Sequence, residues 1–226
     1  MLLHACVNIA WEGGAVTKQR SYLGESPEDR VARRRAQMID AGLEVFGSVG
    51  YRRSRVSDVC DVAGLSKRYF YESFADRAAL LLAVYQHVDE AQREVVMDAL
   101  GAVDPDEKDL MVLVRTSIRA QLDFLAEDPR RGKILYVEMY QATDPVTEAY
   151  RESLGSWTGV VAEILGERAS QNGLSPEVLA EVYVSAVLGI VLRWVMEDQR
   201  QAPQAVVQAI ELLFSGAALS AAADEG

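Results

Sequence analysis

The sequence predicts an all-α protein. Most segments place apolar residues at three- and four-residue spacing, strict alternation is almost absent, and each break in the helical pattern contains Pro or Gly. With 226 residues and 50% hydrophobic composition the chain can bury a substantial core, as one large domain or a small one joined to a larger one.

Residues 1–27, with Gly13, Gly14, Gly24 and Pro27, carry no helical period and read as a mobile tail. His4 and Asn8 interrupt the apolar start before any cleavage site, so it does not read as a signal peptide. The first helix is expected from about Pro27 to Ser48, burying Met38, Ile39, Leu43 and Phe46 and stopping near Gly50. Ser54 then offers an N-cap for a short helix with Val56, Val59, Cys60 and Ala63 on one face. Gly64 ends it. A third short helix begins near Ser66 and turns Phe70 and Phe74 inward with Leu65, and a long fourth helix follows to about Gly101. Further helices are expected at about 106–127, 130–140, 145–171, 176–199 and 203–222, with no internal repeat.

The formal net charge of -11 is unevenly spread. Residues 1–76 hold 11 of the 23 Lys/Arg and 10 of the 34 Asp/Glu, a net of +1, which leaves -12 for residues 77–226. The N-terminal third can therefore meet a polyanion through a local basic face. Cys6 and Cys60 have no disulfide-framework or metal-ligand spacing, so neither a metal site nor a cofactor is expected. With two His and no HExxH, GxSxG or phosphate-loop motif, no enzyme is expected either. The apolar run 182–196 carries Arg193 and is shorter than the ~20 residues a membrane helix needs. No membrane contact is expected, and the protein reads as cytoplasmic.

Two short helices around a Gly-centred turn, braced by a longer one, make a helix-turn-helix whose second helix enters the major groove of DNA. Residues 28–76 form this three-helix domain, and residues 77–226 form a larger helical domain. With Leu65, Phe70 and Phe74 in the core, Lys67, Arg68 and Tyr71 project from the opposite face at i, i+1 and i+4. Lys and Arg contact guanine edges or phosphates, and Tyr hydroxyls donate to phosphate oxygens.

The stretch "GYRRSRVSDVCDVAGLSKRYFYESFADRAAL" resembles the TetR family of bacterial transcriptional repressors. Gly50, Tyr51, Ser54, Val59, Ala63, Gly64, Ser66, Tyr71, Phe74 and Leu80 carry the resemblance, which spans about residues 33–81. It implies base reading by Lys67, Arg68 and Tyr69 and phosphate contacts by Tyr71, Ser73 and Arg77. Arg33, Arg34, Ser54, Arg55 and Ser57 complete the implied DNA-binding set, although Tyr69 could instead pack against the first helix. Arg68 and Tyr69 depart from the family's common Gly and Thr, and Cys60 stands where a small Ala is usual.

The last two helices are apolar around much of their circumference, which calls for burial on more than one side. A homodimeric four-helix interface would supply it, through Ala186, Gly189, Ile190, Ile210, Phe214, Gly216 and Ala217. The family resemblance implies the same dimer, and a small-molecule inducer enclosed by the middle helices. Arg119, Phe124, Tyr136, Met139, Tyr140, Trp157 and Trp194 are the candidate contacts, with Gln121, Arg115 and Glu138 as further polar candidates and Tyr85 and His87 as coupling residues. The expected function is a ligand-responsive repressor that binds a near-palindromic double-stranded DNA operator as a homodimer. The alternative is a helical protein-interaction module that has lost DNA binding.

Overall fold

Nine α-helices and two 3-10 turns, with no strand, make up the described residues of the computed structural model, which are 26–104, 109–141, 144–171, 175–199 and 201–214. Helix α1 spans Pro27–Ser48. Its start is a capping box: the Ser26 hydroxyl accepts from the Asp29 N–H at 3.0 Å, and the Asp29 carboxylate accepts from the Ser26 N–H at 3.2 Å. Gly50 follows at φ 92°, a left-handed turn into the 3-10 segment Tyr51–Arg53.

Helix α2 spans Val56–Ala63, one residue later than a Ser54 cap would place it. Ser54 is buried and its hydroxyl donates to the Tyr51 carbonyl at 2.8 Å, so it closes the 3-10 turn instead of capping α2. The Asp58 carboxylate serves the helix start, accepting from the Arg55 N–H at 2.7 Å. Gly64 sits in the left-handed region at φ 64°, with its N–H bonded to the Asp61 carbonyl and the Leu65 N–H to the Cys60 carbonyl. These are the paired bonds of a Schellman turn. A Cβ on Gly64 would meet nothing within 4 Å, so Gly64→Ala tests the backbone alone. It should lower unfolding free energy by about 1 kcal/mol, read from the urea midpoint at unchanged slope.

Helix α3 spans Lys67–Ser73, and α4 spans Arg77–Gly101 from an N-cap in which Asp76 accepts from the Ala79 N–H. The fully buried Met38, Phe46, Val59 and Phe70 fill the space between α1, α2 and α3. Phe70 and Phe74 lie 5.8 Å apart, and Phe46 meets Tyr51 edge-on at 5.5 Å. Leu80, Leu81 and Val84 of α4 join the same cluster, so the core runs unbroken into the rest of the chain.

The remainder comprises α5 (Leu110–Glu127), α6 (Pro129–Tyr136), a 3-10 turn (Glu138–Gln141), α7 (Asp144–Gln171), α8 (Pro176–Met196) and α9 (Pro203–Phe214). Helix α5 starts at Leu110, not near 106, because Asp109 supplies the cap. Helix α8 stops at Met196, short of 199, where Asp198 and Gln199 turn left-handed at φ 53° and 55°. Helix α7 packs along α8, α4 along α5, and α9 against α5, while short α6 touches α1, α4 and α8. The expected tail of residues 1–27 lies outside the described residues up to residue 25, as does the expected end of α9 beyond 214.

Candidate DNA-reading face and effector cavity

Helix α3 separates its side chains as the sequence period requires. Phe70 is fully buried, whereas Lys67, Arg68, Tyr69 and Tyr71 are exposed, Tyr71 to 60%. Arg68 is held by Glu72 one turn along, at 2.9 Å, which aligns its guanidinium without removing it from solvent. Arg34 of α1 lies 4.5 Å above the Tyr69 ring. Tyr69 thus leans on the first helix through a cation–π contact, at 36% exposure. Arg33 and Arg55 are exposed, and Ser57 and Ser73 are half-buried.

Two members of the expected DNA-binding set are placed differently. Ser54 is buried in the turn before α2. Arg77 is half-buried, with its guanidinium 4.3 Å above the Tyr51 ring and donating to the Ser54 carbonyl. It acts as a strut between α4 and the turn before α2. An aromatic face and an unshared carbonyl offered it partners that the linear sequence does not display.

Behind the head, α4, α5, α7 and α8 surround a cavity. Along α4 the stripe Tyr85, Asp89, Gln92, Val96 and Leu100 faces it, over about 22 Å of helix. This stripe is polar at the end near the head and apolar at the far end. The polar end is hydrogen-bonded: Ser153 of α7 donates to Asp89 at 2.8 Å, Gln121 of α5 donates to the Tyr136 hydroxyl at 2.8 Å, and Tyr136 donates to Gln92 at 3.2 Å. Burial pushes the Asp89 carboxyl above the usual carboxylate range, against the opposing pull of Ser153 and Arg93. Burial also pushes the Tyr136 hydroxyl up to about 12 and raises Tyr85 further.

Of the seven expected effector contacts, Tyr136 and Trp157 line this cavity. Arg119 is exposed on α5, paired with Asp123 and with Gln204 of α9. Phe124 and Met139 are core, Phe124 with the Arg131 guanidinium 4.2 Å above its ring. Trp194 is also core, its indole N–H donating to the Gln201 carbonyl at 2.9 Å. The Tyr140 side chain lies outside the described set. Gln121 lines the cavity as expected, whereas Arg115 and His87 are exposed. Asp89, Gln92 and Ser153 were missed, and the α4 stripe was the sequence signal that could have found the first two.

Helix α6 and the turn after it connect cavity to head. Leu135 and Tyr136 face the cavity, and two residues on the buried Glu138 carboxylate accepts the Tyr51 N–H at 2.9 Å. Glu138 is not among the residues lining the cavity. At the other end of α6, Arg130 is bound bidentately by Asp128 and pairs with Glu44 of α1. Gly47 of α1 lies so close that a Cβ there would be 2.5 Å from the Arg130 Cβ.

On α8, Ala180, Val187, Val191 and Trp194 face inward, while Val178, Val182 and Met196 are 57%, 59% and 69% exposed. Gly189 shares the exposed side, and Ala186 and Ile190 are half-buried. Ile210 departs from its expected interface place: it is fully buried with Val206 and Val207 in the monomer's own core, because α9 packs that face against α5. The Phe214 side chain, Gly216 and Ala217 lie outside the described set.

Residues 38–84 match the family model of bacterial regulatory proteins, tetR family. The fatty acid metabolism regulator protein of Bacillus subtilis is 24% identical over 190 residues, covering 80% of this chain and 93% of that protein. The HTH-type transcriptional activator FasR of Mycolicibacterium smegmatis is 23% identical over 167 residues, 74% of each chain. Among solved structures, the transcriptional regulator FadR from Bacillus subtilis in complex with stearoyl-CoA superposes with a TM-score of 0.69 at 22% identity, covering 80% of this chain and 98% of that one. Residues 38–84 thus resemble the DNA-reading segment of the tetR family, and along most of its length the chain shares the fold of these solved regulators.

Proposed function

We propose that this protein is a cytoplasmic homodimeric DNA-binding repressor, released from a near-palindromic operator by a fatty acyl compound. Residues 28–76 serve as the reading domain and residues 77–226 as the effector and dimerisation domain. The carrying observation is the cavity itself: its wall is α4, the helix that leaves the head, and beyond its polar end the described lining is mostly apolar. The Bacillus subtilis FadR structure holds stearoyl-CoA, which supports the same ligand class for this chain.

The dimer reading rests on α8. Its 21 residues are apolar enough by composition to cross a membrane, yet only 28% of its most apolar window is buried within the monomer. An apolar helix covered on one side by α7 fits a second copy laid against Val178, Val182 and Gly189. Two heads then address two half-sites.

Selection of duplexes from a random pool tests the reading, followed by titration of lauroyl-CoA against the selected duplex. The expected result is a near-palindrome bound by a dimer and released by the acyl compound. An asymmetric site bound by a monomer, or a duplex that lauroyl-CoA fails to release, would overturn it.

A further inference from the structure

The polar end of the cavity carries a carboxylate where an acyl ligand would place its head. Asp89 lines the cavity, and its side chain is 17% exposed. One oxygen accepts from Ser153 at 2.8 Å; the other lies 3.8 Å from Arg93, beyond a good hydrogen bond. Arg93 cannot easily swing inward to receive an anion, because it donates to Ser156 at 3.1 Å and stacks 4.7 Å from the Trp157 ring centre. The other groups at this end, Tyr85, Gln92, Gln121, Tyr136 and Ser153, are uncharged, and Gln121 carries two amide N–H groups, of which Tyr136 accepts one. A second carboxylate here would meet the Asp89 carboxylate in a desolvated site whose described lining residues include no Lys or Arg, the Arg93 charge being already engaged by Asp89 and Trp157.

Resting on the acyl reading above, we propose that Asp89 is a specificity-determining residue: it rejects free fatty acids and leaves the cavity to uncharged acyl derivatives such as thioesters, esters and amides. An ester or amide carbonyl accepts from the Gln121 amide, while the apolar tail runs toward Val96 and Leu100. A regulator built this way responds to the activated form of a fatty acid and ignores the free acid.

The test is titration calorimetry of the full-length protein with laurate and methyl laurate, matched in chain length and kept below the micelle concentration. Wild type should bind the ester at least about tenfold more tightly, and Asp89→Asn, which retains an acceptor for Ser153, should cut that ratio to about twofold by strengthening laurate alone. The ester's greater hydrophobicity acts in both proteins, so the change in ratio is the decisive readout. Its unchanged affinity in Asp89→Asn also reports an intact cavity. Equal affinities in wild type, a ratio unmoved by Asp89→Asn, or loss of ester binding in the variant would each overturn the proposal. Wild type that binds neither compound yet is released from operator by lauroyl-CoA would also overturn this inference; if lauroyl-CoA fails to release it as well, the acyl reading itself fails, a result distinct from the others.

Discussion

Replacing Lys67 and Tyr71 together by Ala should lower specific operator affinity by more than about a hundredfold, with helix content and dimerisation unchanged. Both side chains are exposed on α3 while Phe70, between them, is fully buried, so their loss removes the proposed DNA contacts and no core volume. Tyr71 touches Phe70 edge-on at 5.2 Å, a contact that orients the ring without burying its hydroxyl. The two single variants should differ in kind. Lys67→Ala should also flatten the salt dependence of binding by about one counterion, whereas Tyr71→Ala, which removes a neutral donor, should weaken binding at an unchanged slope. Gel-shift titrations across a salt series read both. If thermal melting shows that Tyr71→Ala costs as much stability as a core deletion, Tyr71 is a packing residue and the face has been misassigned.

That separation of surface from core was legible because α3 is a regular helix and its period assigns each side chain to a face. The head's other contacts were not. Ser54 and Arg77 both find their partners at the 3-10 turn Tyr51–Arg53, a three-residue element too short to show any periodicity. Helix existence and order followed from Gly, Pro and apolar spacing, and the main boundary differences arise where a local cap such as Asp109 decides the start. In the cavity, size proved a poor guide. Phe124, Met139 and Trp194 are bulky, a property a core shares with a pocket, and they are core. The better signal was a polar pair on an apolar helix face: Asp89 and Gln92 between Val88 and Val96 have no purpose in a plain core. Their partners, Ser153 and Tyr136, lie 64 and 44 residues away, and only tertiary packing brings them together.

Glu138 gives the cavity a second link to the head, beside α4. It is 7% exposed, its carboxylate holds the Tyr51 N–H at 2.9 Å, and Tyr136, two residues earlier, lines the cavity. Under the proposed function, a ligand that displaces Tyr136 would act through this one short turn on the backbone that leads into α2, in parallel with any shift of α4. Glu138→Ala leaves the Tyr51 N–H buried without its acceptor, which should cost about 1–3 kcal/mol of stability, read by denaturation. It should also reduce the drop in operator affinity caused by saturating lauroyl-CoA by at least about tenfold, because the head no longer feels that wall of the cavity. Linkage supplies an independent check, since operator DNA must weaken acyl binding by the same factor that the acyl compound weakens operator binding. Glu138→Gln keeps a carbonyl acceptor for Tyr51 and should restore the response. If Glu138→Ala is destabilised yet releases operator as fully as wild type, the clasp is structural only, and α4 alone carries the signal.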